Sequence, residues 1–343
     1  MVRELKNRRL ITVRRQDGQD VISIHRLLQQ KILEDLDKDV QKREQVFAQV
    51  FELVRKRFPE TSPIQVPEPE KWTQCMKVLP HVSSLRIVVA KAVPRIASTL
   101  EIARLFADGG THLWERGKVM EALRLMRTSE TVFKSQAKRD KQLCANIHII
   151  IALLVQHFGV SHRAEVFERV EKAVRIREEF RLECLQGDYT RNHAILLNNA
   201  LADYGCALLQ YNKHKEAETT FDRCLAKYQE WGTEDEFPFE YAKYYHHIAF
   251  CKMYQGKFDE AIASMEKSIE MTTKAIGDNV HLSYGDLACL VLQSGDVQRS
   301  LEIQQKLLSS RLELHGKSGL LTMQTYYAIG ALHSYLGNLE EAE

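Results

Sequence analysis

The stretch GKFDEAIASMEKSIEM, residues 256–271, carries the clearest structural signal in the sequence. It opens with a turn-forming glycine, Gly256, and continues as a helix that carries the small Ala261 and the larger, apolar Met265. Another small residue, Ala249, lies twelve positions before Ala261. Small side chains let two antiparallel helices approach closely where their axes cross. The stretch therefore predicts a helical hairpin whose first helix ends at Gly256.

The same spacing recurs along the chain. Small residues lie twelve positions apart in five pairs: Gly110 and Ala122, Gly205 and Ala217, Ala249 and Ala261, Ala288 and Ser300, and Gly330 and Ala342. A turn-forming residue follows the first member of each pair by seven positions: Gly117, Asn212, Gly256, Gly295 and Gly337. Asparagine tolerates the left-handed backbone almost as well as glycine does. One hairpin cannot bury its own apolar face, so the repeat predicts an all-α superhelical solenoid of stacked helix pairs.

A weaker unit fits between the first two hairpins. Leu154 and Val166 occupy the paired positions, with Gly159 near the turn and Ala173 in the second helix. We therefore expect about six units over residues 96–343. The sixth is incomplete, because the sequence stops as its second helix begins. We expect the sequence to be a fragment or a shortened relative of a longer protein.

The repeats resemble a known family. The stretch at 256–271 and YNKHKEAETTFDRCLAKYQ (211–229) resemble the second helix of tetratricopeptide repeats. ELHGKSGLLTMQTYYAIGALHSYLGNLEEAE (313–343) resembles the longer repeat, of about 42 residues, found in kinesin light chains and many fungal repeat proteins. This resemblance implies a protein–protein interaction module that binds a peptide or protein partner in its concave groove.

The region before the repeats has a different organisation. Asp17-Gly18 lies between two apolar runs and predicts a β-hairpin within residues 1–36. Helical patterns follow from His25 to Leu36 and on to Phe58. Residues 37–95 are predicted to form a helical linker. Four prolines within 59–69 predict a stiff, extended segment inside that linker.

This N-terminal region also resembles a known family. ELKNRRLITVRRQDGQDVISIHRLLQQKILEDL (4–36) is similar to the end of the winged-helix region in fungal NLR-like signalling ATPases of the STAND class. Trp72 and Cys75, with LPHV at 79–82, resemble the linker of those proteins. No GxxxxGK[ST] phosphate-binding loop is present in the sequence. The resemblance implies the sensor part of a signal-transduction protein without its nucleotide-binding domain.

Motifs for catalysis, cofactors and metals do not stand out. Cys144 and His148 lie one helical turn apart in an apolar helix, which favours core packing over a zinc site. Adjacent histidines at 246 and 247 point in different directions on a helix and do not chelate one ion together. We therefore predict no enzyme activity, no cofactor and no metal.

Composition and charge narrow the remaining classes. The chain has 343 residues, a net charge of +2 and seven cysteines without a CxxC pair. Scattered thiols and a polar N-terminus favour a reducing, cytoplasmic setting without a membrane partner. A basic cluster, Arg3, Lys6, Arg8, Arg9, Arg14 and Arg15, precedes the helices, but a complete winged helix is absent. A nucleic-acid partner is therefore unlikely.

The concave surface supplies the candidate binding residues. In this architecture the first helix of each pair lines the groove, through positions three and two before, and one and four after, the small residue. The candidate groove residues, including neighbours of those positions, are Thr111, Trp114, Asn199, Asp203, Lys243, His246, His247, Gln324 and Tyr327. Such a mixed polar and aromatic surface suits an extended peptide or a helix.

Two other functions stay open at the sequence level. A stand-alone cargo or scaffold adaptor of the kinesin-light-chain type would use the same groove. A DNA-binding regulator would use the repeats as a sensing domain. We also expect self-association through the incomplete last repeat, because Ile329, Leu332 and Leu336 should be exposed where a further helix would pack.

Overall fold

The computed structural model describes residues 2–8, 10–16, 19–137, 140–184, 187–277 and 281–342. A short helix, α1 (Val2–Asn7), precedes an antiparallel hairpin of β1 (Ile11–Gln16) and β2 (Gln19–Ile24). The predicted hairpin is therefore present, although its Asp17-Gly18 turn lies outside the described residues. The other helices are α2 (Arg26–Asp37), α3 (Val40–Arg57), α4 (Pro69–Lys91), α5 (Leu100–Glu115), α6 (Val119–Lys134), α7 (Lys141–Val155), α8 (Arg163–Glu183), α9 (Arg191–Leu209), α10 (His214–Trp231), α11 (Pro238–Tyr254), α12 (Phe258–Ile276), α13 (His281–Gln293), α14 (Val297–His315), α15 (Leu320–Leu336) and α16 (Leu339–Ala342).

Consecutive helices pack as pairs from α5 onwards. The pairs are α5 with α6, α7 with α8, α9 with α10, α11 with α12, α13 with α14, and α15 with the short α16. Each pair also contacts the next, so the pairs stack into a solenoid. The all-α, tetratricopeptide-type superhelix predicted from the repeat is confirmed.

Small residues lie where the helices of a pair cross. A Cβ atom on Gly205 would overlap the ring of Phe221 in α10. Ala249 and Ala261 are fully buried against each other's helices. Ser300 keeps the spacing with a polar atom, because its hydroxyl donates a 2.8 Å hydrogen bond to the Ala288 carbonyl in α13. The offset of twelve thus reflects close approach of the two backbones.

The turn after each first helix has left-handed backbone. The φ angle is positive at all five predicted turn residues: Gly117 (64°), Asn212 (59°), Gly256 (75°), Gly295 (97°) and Gly337 (81°). Asn212 is the only non-glycine among these five residues, and it adopts the same conformation. The sequence prediction for these turns is confirmed.

The core is not uniform along the solenoid. One continuous cluster of buried apolar side chains runs from Phe47 to Ala200, whereas three smaller clusters fill the later pairs. The segment Lys141–Phe158 is long and apolar enough to cross a membrane, but 56% of it is buried by other helices. It is the central helix of the larger core.

The superhelix closes on itself. Leu320, at the start of α15, packs against the large N-terminal cluster. The Lys118 ammonium donates a hydrogen bond to the Leu314 carbonyl, 196 residues away in sequence. The Gln324 side-chain amide donates one of 3.0 Å to the His157 carbonyl. The last helix pairs thus meet the first two and enclose a central cavity.

One expectation about the last repeat is wrong. Leu332 was expected to be exposed, but only 5% of it is accessible because it packs within the α14–α16 region. Ile329 is half-buried, and Leu336 is 39% exposed. The exposed apolar surface of α15 instead carries tyrosines, with Tyr327 81% and Tyr335 79% accessible.

Candidate functional site: the central cavity

The concave faces of the helix pairs surround a cavity of about 620 Å³, and an adjoining space of about 230 Å³ opens beside it. The larger volume falls within the range of ligand pockets. The two spaces are contiguous, because the same side chains line both. The shared lining residues are Trp114, Leu153, Asp203, His246, His247 and Leu282.

Most of the candidate groove residues line this cavity. Seven of the nine predicted positions face one or both spaces: Trp114, Asn199, Asp203, Lys243, His246, His247 and Gln324. The structure places the other two elsewhere. Thr111 is buried, with 5% of its surface accessible, and Tyr327 projects outward on α15. The binding role of all nine stays a prediction.

A first polar bridge joins α9 to α11 across the cavity wall. The Lys243 ammonium lies 2.7 Å from the Asp203 carboxylate, and only 5% of the Asp203 side chain is accessible. Lys243 also donates to the Asn199 carbonyl at 3.1 Å. The Asn199 side-chain oxygen accepts a 2.6 Å hydrogen bond from the Tyr228 hydroxyl. These contacts fix the orientation of a buried pair whose charges cancel.

A second bridge joins α11 to α13. The Nε2 atom of His246 lies 3.2 Å from the Asp286 carboxylate. His247 points the other way and stacks near the Phe221 ring, with centroids 5.0 Å apart. Burial holds the pKa of His247 well below its usual value, so this imidazole is neutral at pH 7. The two adjacent histidines thus have different surroundings, as expected for neighbours on one helix.

The far wall comes from the last pairs. Arg311 in α14 donates to the Leu321 carbonyl at 3.1 Å and to the Thr325 hydroxyl at 2.7 Å. Burial lowers the pKa of Arg311 to about 10. The carbonyl oxygen of the Gln304 side chain lies next to this wall, buried and without a hydrogen-bond partner. Such an acceptor is available to a donor on a bound molecule.

Sequence reasoning missed part of the lining. Gly285, Asp286 and Cys289 line the cavity from α13. They lie three and two positions before, and one after, the small residue Ala288. The offsets used for the other repeats, applied to this one, would have found them. The repeat pattern did not indicate the wall formed by Arg311 and Leu321, because this wall arises from closure of the superhelix.

The residues singled out for other chemistry belong to the packing. His148 is buried, and burial lowers its pKa to about 4, which agrees with a core histidine. An Arg169 guanidinium nitrogen lies 3.2 Å from its Nδ1 atom. Across the part of the chain that the structure describes, no three His, Cys, Asp or Glu side chains form a group suited to a metal ion.

The comparisons agree with this geometry. A family model for the tetratricopeptide repeat matches residues 242–274, which include most of α11 and α12. The fold is of the tetratricopeptide type. No curated protein sequence matches the chain.

Several solved structures have a similar fold. The structure of NprR in complex with its cognate peptide NprX has a TM-score of 0.55 and 14% identity, and the match covers 80% of this chain and 70% of that one. A Rap protein complexed with competence and sporulation factor has a TM-score of 0.53 and 12% identity, covering 78% and 77%. The Rap conjugation gene regulator of the plasmid pLS20, in complex with the Phr* peptide, has a TM-score of 0.51 and 11% identity, covering 80% and 75%.

Proposed function

We propose that this protein is a non-enzymatic interaction module that binds an extended peptide segment of a partner in its central cavity. The cavity carries this proposal, because its volume and lining suit a short stretch of chain better than a flat protein surface. The wall combines apolar side chains such as Trp114 and Phe250 with polar ones such as Gln210. An extended peptide likewise presents apolar side chains together with backbone hydrogen-bonding groups.

Two acids of the cavity wall already have basic side chains as partners. Asp203 is neutralised by Lys243, and Asp286 lies beside His246. Each pair bridges two neighbouring repeats, so these contacts hold the wall together. Specificity would then come from hydrogen bonds to groups such as Gln304 and from apolar contacts around Trp114.

The similar structures support the same class of ligand. NprR is described in complex with its cognate peptide, and the pLS20 regulator in complex with a peptide. Their identity to this chain is too low to carry over contact residues. The proposal therefore rests on the cavity of this chain, and the peptide complexes make a peptide the first ligand to test.

The signalling context is a separate part of the proposal. We infer from the resemblance of residues 4–36 and 72–82 that the module senses a ligand for an NLR-like signalling protein. Apolar side chains of the N-terminal region remain exposed, including Leu27 (69%) and Leu33 (48%), which suits packing against a further domain. The coding sequence upstream of Met1 tests this point: a GxxxxGK[ST] motif supports it, and an untranslated leader contradicts it.

Peptide selection tests the binding function. A displayed library of random ten-residue peptides would be selected on the immobilised chain, and dissociation constants measured by fluorescence anisotropy. We expect His246→Ala and Trp114→Phe to weaken selected peptides about tenfold, which corresponds to about 1.4 kcal/mol. Tyr335→Ala provides the control, because Tyr335 is exposed outside the cavity. Peptides whose affinity is the same for all three variants would refute binding in the cavity.

A further inference from the structure

The loop between α3 and α4, residues 58–68, enters the groove from one rim. Its stem is held by the first repeat, because the Asp108 carboxylate accepts from the Thr61 hydroxyl at 2.9 Å and from Arg55 at 2.6 Å. Lys71 closes the base by donating to the Glu60 carbonyl at 3.1 Å and to the Glu68 carboxylate at 2.7 Å. The stem is therefore anchored independently of the tip.

The tip of the loop touches the second and third repeats. The Gln65 side-chain oxygen accepts a hydrogen bond of 3.1 Å from Arg177 in α8. The Ile64 carbonyl lies 3.5 Å from the Asn199 amide in α9. Gln65 and Pro67 form part of the wall of the smaller cavity space. A segment of the chain itself thus occupies one end of the groove.

The backbone of the tip is bent to make these contacts. Gln65 has a φ of 59°, a left-handed conformation that costs a non-glycine residue about 1 kcal/mol. The backbone N–H of Gln65 donates to the Ser62 carbonyl at 3.0 Å, which closes a tight turn. Residues in such conformations persist where the surroundings hold them, and they gather at binding sites.

Arg177 is the distinctive group beneath the tip. Only 1% of its surface is accessible, and it donates to three neutral oxygens: the Leu196 carbonyl and the side chains of Asn146 and Gln65. Its Nε atom is buried without a hydrogen-bond partner. No carboxylate bonds to this guanidinium in the part of the chain that the structure describes. A buried cation that bonds only to neutral acceptors would bind a carboxylate more strongly.

The charges near Arg177 favour an anion. Asp203 is the acid whose charge acts on the pKa of Arg177, but the Lys243 ammonium pairs with this carboxylate at 2.7 Å. Glu115 lies on the same wall as Gln65, and its carboxylate accepts a 2.7 Å hydrogen bond from the Trp72 indole. Burial raises the pKa of Glu115 to about 7, so its negative charge is only partly present at neutral pH. Arg177 therefore supplies the excess charge at this rim.

We propose that Asn146, Arg177 and Asn199 form a binding site for a carboxylate-bearing peptide, and that the loop tip at 62–67 occupies this site as a tethered internal ligand. The side-chain amide of Gln65 lies where the carboxylate of an external ligand would bind. A peptide with an acidic side chain or a terminal carboxylate displaces the tip and extends into the central cavity. This inference rests on the proposed peptide-binding function and adds the chemical class of the ligand.

Two substitutions at Gln65 test the internal contact without any external partner. Hydrogen exchange of the Ile64 and Gln65 amides would be followed by mass spectrometry. We expect Gln65→Ala to speed exchange about fivefold, because the tip loses its bond to Arg177. Gln65→Glu should slow exchange about fivefold, because its carboxylate pairs with the guanidinium. Thr73→Glu on the exposed face of α4 adds the same charge elsewhere and should change nothing.

Whether Gln65→Glu slows or speeds amide hydrogen exchange shows whether the site prefers a carboxylate. A site that only fits the shape of the loop would reject a buried carboxylate, and exchange would then speed up in both variants. That result would overturn the proposal. The proposal that peptides bind in the central cavity would still stand, because it is tested separately with the His246 and Trp114 variants.

A second experiment frees the site and fills it from solution. Residues 63–66 would be replaced by Gly-Ser-Gly-Ser, and the fluorescent, C-terminally amidated peptides TSPIQVP, from residues 61–67, and TSPIEVP would be titrated to 2 mM. We expect the replaced chain to bind the glutamate peptide at least tenfold more tightly than the glutamine peptide. The native chain should bind both more weakly, because its own loop competes at a high effective concentration. Equal affinity for the two peptides, no binding, or equal binding to both chains would overturn the proposal.

Discussion

The two halves of the solenoid reach the same architecture by different packing. From Phe47 to Ala200, large aliphatic and aromatic side chains merge into one cluster. After Ala200 the core divides into three small clusters. A serine hydroxyl bridges the two helices of a pair in both halves, since Ser129 donates to the Ala103 carbonyl at 2.6 Å and Ser268 to the Ala242 carbonyl at 2.8 Å. How closely a helix pair matches the repeat pattern therefore does not determine how large its hydrophobic core is.

The second helix pair makes this difference plain. Leu154 and Val166 replace the small residues there, so the repeat pattern is weakest, yet both side chains are fully or almost fully buried. In the later pairs the small residues are kept, and the backbones approach closely. In the degenerate repeat, large side chains fill the space between the two helices. In the regular repeats, small side chains let the two helix backbones approach each other closely.

The largest expected effect breaks the continuous core. Leu154→Ala removes a side chain with no accessible surface and should lower the free energy of unfolding by about 3–4 kcal/mol, because the surroundings relax only in part. Leu182→Ala, at a residue that is 75% exposed, should cost under about 0.5 kcal/mol. Urea denaturation measures both. Similar losses for the two variants would contradict a continuous core around α7.

A somewhat smaller effect tests close approach in a regular pair. Gly205→Val places side-chain atoms against the Phe221 ring and should lower the free energy of unfolding by about 2–3 kcal/mol. The matched change Ala331→Val on the exposed face of α15 should cost only about 0.5 kcal/mol, from helix propensity. If Gly205→Val is as mild as the control, the small pairs are not set by helix contact.

The turn at Asn212 gives a smaller and more local effect. Asn212→Ala should cost about 1 kcal/mol because alanine adopts a φ of 59° poorly. Asn212→Gly should be neutral or slightly stabilising in the same denaturation assay. A larger loss for glycine than for alanine would show that the asparagine side chain, rather than the backbone conformation, is what matters at this turn.

Two acids in the first half, Glu115 and Glu130, should give opposite pH dependences. Burial raises the pKa of Glu115 to about 7, so its contribution favours folding below pH 4.5 and is lost as the pH rises through 7. Burial alone would raise the pKa of Glu130, but the Lys134 hydrogen bond and the Arg169 charge lower it to about 2. Its contribution is present above pH 4.5 and is lost as the pH falls towards 2.

Glutamine substitutions separate these two windows. Unfolding free energies measured from pH 2 to pH 8 should flatten between pH 4.5 and 7 in Glu115→Gln. The change in Glu130→Gln should fall between pH 2 and 4.5. A Glu115→Gln profile that parallels the native one between pH 4.5 and 7 would show that this carboxyl titrates normally in the folded protein.

The smallest expected effect concerns the end of the second half. We predict weak, concentration-dependent self-association through the exposed tyrosines of α15. Sedimentation velocity should show a rising average sedimentation coefficient, and Tyr327→Ser should reduce the rise. An unchanged monomer at all concentrations would disprove this prediction.

Local features of the fold could be read from the sequence. The crossing positions, the turns and most of the cavity-facing residues follow from the period of the repeat, because each depends on neighbours within one hairpin. The buried position of Thr111 did not follow, since it depends on how α5 is enclosed by α4 and α7. The offset rule assumed that all repeats expose the same face.

Long-range features could not be predicted. Closure through Lys118 and Leu314 depends on small rotations that add up over several repeats. The path of the proline-rich segment was expected to be extended and stiff, but nothing in its composition indicated that Gln65 would reach Arg177, 112 residues later. Contacts between residues so far apart leave no periodic pattern in the sequence, although they help to form the walls of the cavity.

Photo-cross-linking tests the central claim most directly. A selected peptide carrying a benzophenone side chain would be irradiated with the chain, and the cross-linked residues mapped by mass spectrometry. We expect cross-links to cavity residues of the inner helices, such as Leu153 in α7, Cys206 in α9 and Phe250 in α11. Cross-links confined to α6 and α10, which contribute no described residue to the wall of either space, would contradict binding in the cavity.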